Sequence, residues 1–362
     1  MPASKRLLAV VALAACTRAS SGPVTFGAAG PWSEGYGDAN KKGIELAVEE
    51  INASPAWGTH RQLQIVFAND SGSGARASVI AQQFVDSAKI VAVIGHASSG
   101  AMVAAAHVYD KHLPAIATTA TSPSLTGISK WTFRVETSDS TNGMTMAAFA
   151  NKLGRKRAAI LYENDSYGRG LVENFRKTFA GEVIGVDPIS ESPDQNFEPY
   201  VSWFLREKPD LIFVAGTDGA GLKFLQEVRR QHLDVDIMGG DGWQPLAPNP
   251  AAEGIYVGAP FSAQDPRPEV RRFVAAYQKK FNTIPDGNAA LAYDATKLLA
   301  AAVEKVGPDR AKIRDYLAGM TEATAFHGVA GTIRFRPDGD PIGRTFVMTR
   351  VHNGALEVES NQ

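Results

Sequence analysis

The sequence predicts an α/β protein of two lobes, each a doubly wound, mainly parallel sheet flanked by helices. Three observations predict it. From Val24 onward, short apolar runs alternate with segments of helical periodicity. The alternation restarts at "AAILYE" (158–163). No long low-complexity linker separates the two runs, so the crossovers between lobes are short. The chain has 362 residues, enough for two medium domains.

The first strand is "VTFGAAG" (24–30). Asp38 caps the next helix, where Ile44, Ala47, Val48 and Ile51 fall at i, i+3, i+4 and i+7. Strand "LQIVFA" (63–68) follows, then a helix near 75–87, strand "IVAVIG" (90–95), a helix over about 99–112 and strand "AIATT" (115–119). This βαβαβαβ order argues for parallel pairing with helices on both faces. In the second run "AAILYE" leads to helix "GLVENFRKTFA" (170–180), strand "EVIGVD" (182–187), a helix over 197–207 and strand "LIFVAG" (211–216). A helix over 221–231 and strand "DIMGG" (236–240) complete it. After "GIYVGAP" (254–260) come helices around 268–281, 289–306 and 310–318. Two strands, "GTIRF" (331–335) and "TFVMTRV" (345–351), close the chain, joined by "RPDGDPIG" (336–343), which reads as a hairpin turn. The joins "SEGYG" (33–37) and "SYGRG" (166–170), each after the first strand of its run, form a weak pseudo-repeat.

Composition narrows the function. The chain is 44% hydrophobic and 21% charged with a formal net charge of −1, so no global basic field recruits nucleic acid. Seven histidines show no H-E-x-x-H spacing, and the single cysteine, Cys16, excludes an intrachain disulfide and a cysteine zinc site. The N-terminus "MPASKRLLAVVALAAC" places Lys5 and Arg6 before nine apolar residues, too few to span a bilayer. That is the layout of an export signal over 1–15. "LAAC" also resembles a bacterial lipobox, which makes Cys16 the lipidation site and 16–23 a tether; the plainer reading is a secretory signal with a chance cysteine. No later segment approaches 18 uninterrupted apolar residues.

Open α/β sheets bind ligands outside the carboxyl ends of their strands. That rule selects "GPWSEGYGD", "NDSGSG", "GHASSG", "TTATSPS", "ENDSYGRG", "GTDGAG" and "GGDGWQ", where only Arg169 supplies a positive charge. "GHASSG" lacks the G-x-S-x-G spacing of a nucleophile elbow. No Walker motif and no G-x-G-x-x-G follows a strand, so nothing requires a cofactor or metal. Ser98 and Ser99 open a helix, and Thr119 and Thr121 follow the neighbouring strand. Hydroxyls and amides without a strong cation suit a carboxylate; ordinary helix capping is the alternative. Trp32, Trp243 and Phe261 suggest a partly aromatic pocket, with core packing as the alternative.

In this order and spacing, "GYGDANKKGIELAVEEIN", "AVIGHASSG", "TTATSPSLT", "TFRVETSDSTNG", "AAILYENDSYGRGL", "PDLIFVAG", "MGGDGW" and "AYDATKLLAAA" resemble the type I periplasmic binding proteins of the leucine/isoleucine/valine-binding group. The resemblance runs from about Val24 to Val351. It implies the type I periplasmic-binding-protein fold with three interlobe crossovers, here near Ser138, Gln264 and Pro337. Lobe one is then 24–138 plus 265–337, and lobe two 139–264 plus 338–362. It implies a non-enzymatic receptor in the periplasm or cell envelope, without cofactor, that presents an amino acid or similar small carboxylate to ABC permease subunits. Ser98 and Thr121, with the Thr119 backbone, would take the ligand carboxylate, Asp241 its ammonium, and Tyr167 and Tyr36 would close over it. Trp32, Ala97, Ser99, Thr217 and Trp243 would line the pocket. Three departures bear on the ligand: Gly216-Thr217-Asp218 stands where several members carry an aromatic, Ala97 replaces a disulfide cysteine, and the acid is Asp rather than Glu. Rival readings are a sensor of the same fold, a binder of an aromatic or aliphatic acid or amide, and a hydrolase.

Overall fold

A computed structural model describes residues 22–58, 61–190, 192 and 194–359. The export signal, Cys16 and most of the tether lie outside the described residues. The first sheet holds five parallel strands in the order β2-β1-β3-β4-β5. These are β1 (Val24–Gly30), β2 (Leu63–Asn69), β3 (Ile90–Gly95), β4 (Ala115–Ala117) and β5 (Thr132–Arg134). Between them run α1 (Gly35–Ala53), the short α2 (Pro55–Gly58), α3 (Gly74–Asp86) and α4 (Ser99–Tyr109). Helix α5 (Asp139–Lys152) leads into the second sheet, whose helices are α6 (Ser166–Thr178), α7 (Glu198–Glu207) and α8 (Asp218–Arg230). Its strands are β6 (Arg157–Glu163), β7 (Glu182–Ile189), β8 (Leu211–Ala215), β9 (Asp236–Gly239) and β10 (Tyr256–Ala259). The chain returns to the first lobe for α9 (Pro268–Phe281), α10 (Gly287–Val306), α11 (Arg310–Ala318) and the small pair β11 (Phe326–Gly328) and β12 (Gly331–Ile333). It ends in β13 (Val347–His352) and β14 (Ala355–Val358), which complete a seven-stranded order β14-β13-β10-β9-β8-β6-β7.

Strand alternation divides each core in two. Phe26, Ala28 and Ile94 face α1 and α10, whereas Ala29 and Val93 face α3 and α4. In the second sheet Leu161, Ile212 and Val214 face one way, and Ile160, Leu211 and Phe213 the other. Both faces of every central strand are buried, which is why these strands read as continuous apolar runs.

Four details differ from the sequence reading. Asp38 lies inside the first turn of α1 rather than at its cap, because the helix begins at Gly35 and Asp218 of the other lobe accepts the Gly35 N–H at 3.1 Å. Helix α5 carries its buried face on Asp139, Asn142, Gly143, Met146 and Ala147, so the spacing is helical while the hydropathy is not. Strand β4 is three residues long, and Thr118 and Thr119 already belong to the loop. The segment 336–343 does turn tightly, with Arg336 N–H on the Asp340 carbonyl at 2.8 Å. Its flanking strands are not partners, since β12 pairs with β11 and β13 with β10 and β14. The chain is passing between sheets there.

Candidate functional site

A cavity of about 360 Å³ lies between the two lobes at the carboxyl ends of their strands. The first lobe contributes the loops after β3 and β4. Ser98 occupies the N-cap of α4, yet its hydroxyl makes no cap bond; Oγ is buried on the cavity wall without a partner. Capping therefore does not explain it, and the free α4 N–H groups beside it favour an anion. Ser99 does structural duty, its Oγ accepting the N–H groups of Thr121 and Ser122 at 3.1 Å each. The Thr119 hydroxyl donates to the Ala97 carbonyl at 2.9 Å, tying the two loops together.

Buried charges hold this wall from behind. His96 lies 2.6 Å through Nδ1 from Asp70 and 3.0 Å through Nε2 from the Tyr109 hydroxyl, all three side chains fully buried. Asp70 also accepts the N–H of Gly72, another lining residue, at 2.8 Å. With both ring nitrogens engaged, His96 offers no base to Ser98, so the pair is not a nucleophilic dyad. Arg134 pairs with Asp340 at 2.6 Å and donates to the carbonyls of Thr121 and Ser122 at 2.9 Å.

The second lobe presents acids. Asp241 follows β9, and the Tyr167 hydroxyl donates to its Oδ1 at 2.8 Å while accepting the Gly242 N–H at 3.2 Å. The tyrosine fits because Gly240 is glycine: a Cβ there would stand 2.3 Å from the hydroxyl. Burial pushes Asp241 up to about 6, against the hydrogen bond from Tyr167. Burial, and then Asp241, likewise raise Tyr167 well above an ordinary phenol. Glu163, at the end of β6, accepts from the Thr217 N–H at 3.0 Å and its hydroxyl at 2.9 Å. Asp165 caps α6 through the Gly168 N–H at 2.8 Å. Below this wall, burial pushes Glu136 up to about 8 and Asp139 well above the usual carboxylate range, with Asp241 adding to both.

The two lobes touch through Asp218 and the α1 N-terminus, and burial pushes Asp218 up to about 6. The pseudo-repeat takes structural form here. Tyr36 and Tyr167 are each the second residue of a helix, and both line the cavity.

The structure thus gathers Tyr36, Ala97, Ser98, Ser99, Thr119, Tyr167, Thr217 and Asp241 around one cavity. It does not place Thr121, Trp32, Trp243 or Phe261 on that wall. Thr121 is fully buried behind it, its side chain against Asp139. Trp243 is fully buried in the second-lobe core against Phe224, filling the space left by Gly221 and Gly239. Trp32 stacks edge-on with Phe67, and Phe261 packs on Phe273 in the first-lobe core. Arg169 turns out to Asn164. Glu163, Asn164, Asp165 and Gly72 also line the cavity; they stand in two strand-end segments the carboxyl-end rule selects, but their side-chain types gave no further signal. Ile189, Ser190 and Asn288 carried none. Among the described residues, no group of His, Cys, Asp and Glu has the arrangement of a metal site, and no helix is long and apolar enough to cross a membrane.

Two α/β lobes that close on a cavity with a hydroxyl-and-amide wall facing an acidic one define a binding protein. The chain belongs to the periplasmic binding protein family, whose model matches residues 23–355, and within it to the leucine/isoleucine/valine-binding group. It is 27% identical over 353 residues to the leucine-, isoleucine-, valine-, threonine- and alanine-binding protein of Pseudomonas aeruginosa, covering 94% of this chain and 91% of that one. The structure resembles the branched-chain amino acid transporter substrate-binding protein LivJ of Streptococcus pneumoniae in complex with isoleucine, with a TM-score of 0.85, 29% identity and coverage of 93% and 99%. A Rhodopseudomonas palustris solute-binding protein in complex with benzoate shares the fold at TM-score 0.85 and 23% identity, over 93% and 95% of the two chains.

Proposed function

We propose that this protein is the exported substrate-binding component of an ABC importer and that it captures an α-amino acid between its lobes. The observation that carries this reading is the polarity of the cavity. An unpartnered Ser98 hydroxyl stands on one wall and the Asp241–Tyr167 pair on the other, and the lining residues include no Lys, Arg or His. A zwitterion entering a buried site needs both its charges paired. Ser98, the α4 N–H groups and the Thr119 loop would take the carboxylate; Asp241 would take the ammonium. A lone carboxylate such as benzoate would instead meet uncompensated acids. Ligand bridging would favour closure about hinges near 138, 264 and 337. Permease subunits are the partners, and Cys16 anchors the chain to the cell envelope by a lipid.

Thermal unfolding with each common amino acid, benzoate and short aliphatic acids tests the ligand class. A ligand at 100 times its dissociation constant stabilises by about 2.7 kcal/mol. Stabilisation by an amino acid is expected; stabilisation by benzoate alone would overturn the reading. Cys16→Ser should move the protein out of the detergent phase while leaving ligand affinity unchanged, and persistent membrane partition would defeat the anchor.

A further inference from the structure

Two helices of the first lobe start in the same way. In α1 the first residue is Gly35 and the second Tyr36; in α10 they are Gly287 and Asn288. Both second residues line the ligand cavity. Both first residues give their N–H to a side chain of the second lobe, Gly35 to Asp218 Oδ2 at 3.1 Å and Gly287 to Gln244 Oε1 at 2.9 Å. Both are also packed hard against that acceptor. A Cβ at Gly35 would stand 2.5 Å from Asp218 Oδ2, and one at Gly287 2.7 Å from Gln244 Oε1.

The first N–H groups of a helix have no partner within it. Glu34, at the N-cap of α1, makes no side-chain cap bond, and the second lobe supplies the cap instead. Helix α10 differs. It has a cap of its own, Asp286 on the Ala289 N–H at 3.0 Å. Its first residue also lies against Pro260, where the chain leaves β10 for the first lobe; a Cβ at Gly287 would stand 2.7 Å from Pro260 Cγ. The Gln244 contact therefore sits at a crossover, where the lobes stay joined. Around Gly35 the nearest atoms belong to Asp218 and Pro245, both of the second lobe, so parting the lobes uncovers it. Neither Gly35 nor Asp218 lines the ligand cavity.

Resting on the reading that the lobes close over a ligand, we infer that Asp218 is a positioning residue for binding: it caps α1 across the cleft when the lobes close, and so holds the cleft shut and sets Tyr36 on the ligand. The helix start is complete only in the closed form, with Gly35 as the residue small enough to admit the cap. Replacing a capping oxygen shifts a helix equilibrium by about two- to thirtyfold. A ligand whose competent state is less populated binds more weakly by the same factor. Because Asp218 does not touch the ligand, that factor is the same for every ligand the site accepts.

Titration calorimetry on the full-length protein tests this, with the common amino acids and benzoate as probes. Asp218→Ala should weaken every probe that binds wild type by about three- to thirtyfold, without changing their ranking. Asp218→Asn keeps a capping oxygen and should stay within about threefold of wild type. Gly35→Ala separates positioning from plain stability. Alanine is the better helix former, so the unfolding midpoint of the ligand-free protein should hold or rise. The added Cβ meets Asp218 and Pro245 on closure, so affinity should fall by about threefold or more. Binding within about threefold of wild type in Asp218→Ala, or a loss that depends on the probe's side chain, would overturn the inference while leaving the binding function intact. If benzoate binds and no amino acid does, the amino-acid reading fails and benzoate tests the cap alone. If no probe binds, the inference falls with the closure reading. Should Asp218→Ala not fold, Gly35→Ala decides.

Discussion

The two walls of the cleft solve opposite electrostatic problems. On the first lobe the charges are behind the wall: Asp70 with His96, and Arg134 with Asp340, are buried pairs that fix the loops carrying Ser98 and Thr119. The surface they present is neutral. On the second lobe the charges are in front: Asp241 and Glu163 line the cavity itself, and burial holds Asp241 near 6. A wall of oriented donors and a wall of acids differ in what they cost when empty. Neutral donors facing a cavity can be hydrated cheaply, while an ionised buried carboxylate is expensive until a cation arrives.

Removing the support behind the neutral wall should have the largest effect on folding. Arg134 is 2% exposed and its partner Asp340 6%. Breaking one side of such a pair costs about 3–5 kcal/mol, so Arg134→Met should lower unfolding stability by that order in denaturant melts. A loss below about 1 kcal/mol would mean the loops hold themselves.

The buried acids, on the wall and behind it, should reveal themselves through pH. Burial, with Asp241 next, pushes Glu136 up to about 8, and burial pushes Asp241, Asp218 and Asp294 up to about 6. Each raised carboxyl contributes stability that is complete below its ordinary value and lost as pH rises through its folded value. Stability without ligand should therefore fall from about pH 4 to about pH 8. Glu136→Gln keeps an oxygen to accept from Thr137 and should make the curve less steep between pH 6 and 8, with the part due to Asp139 remaining. An unchanged slope above pH 6 in chemical denaturation would contradict this.

Smaller effects belong to single hydroxyls. Tyr167→Phe removes the hydrogen bond to Asp241 but leaves the acid in place, and a typical bond is worth about 0.5–1.5 kcal/mol. Amino-acid affinity measured by calorimetry should therefore change by about tenfold or less. A loss beyond about a hundredfold would show that the tyrosine does more than orient the acid.

How much of this was legible depended on how each feature is encoded. The sheets were legible because both faces of their strands are buried, which writes them as apolar runs such as "IVAVIG" and "LIFVAG". Helix α5 was not, because its inward face is built from Asp139, Asn142 and Gly143. The Ser98 and Asp241 segments could be read from strand ends, since position after a strand is a one-dimensional fact. Whether an aromatic faces a ligand or a core is not. Trp243, two residues after Asp241, turns the other way into the space that Gly221 and Gly239 leave. The cap of α1 was equally invisible, because Asp218 is 183 residues from Gly35.

The central claim is that the neutral wall holds the ligand carboxylate and the acidic wall its ammonium. Calorimetric titration of the best ligand against wild type, Asp241→Ala and Ser98→Ala tests it most directly. Unpairing a buried charge costs about 3–5 kcal/mol, on the order of a hundredfold or more in affinity, and losing one hydroxyl that binds a charged group costs about 1.5–3 kcal/mol. Asp241→Ala should therefore weaken binding more than Ser98→Ala. Wild-type affinity in Asp241→Ala, with binding lost in Ser98→Ala, would contradict the account and point to a simple carboxylate instead.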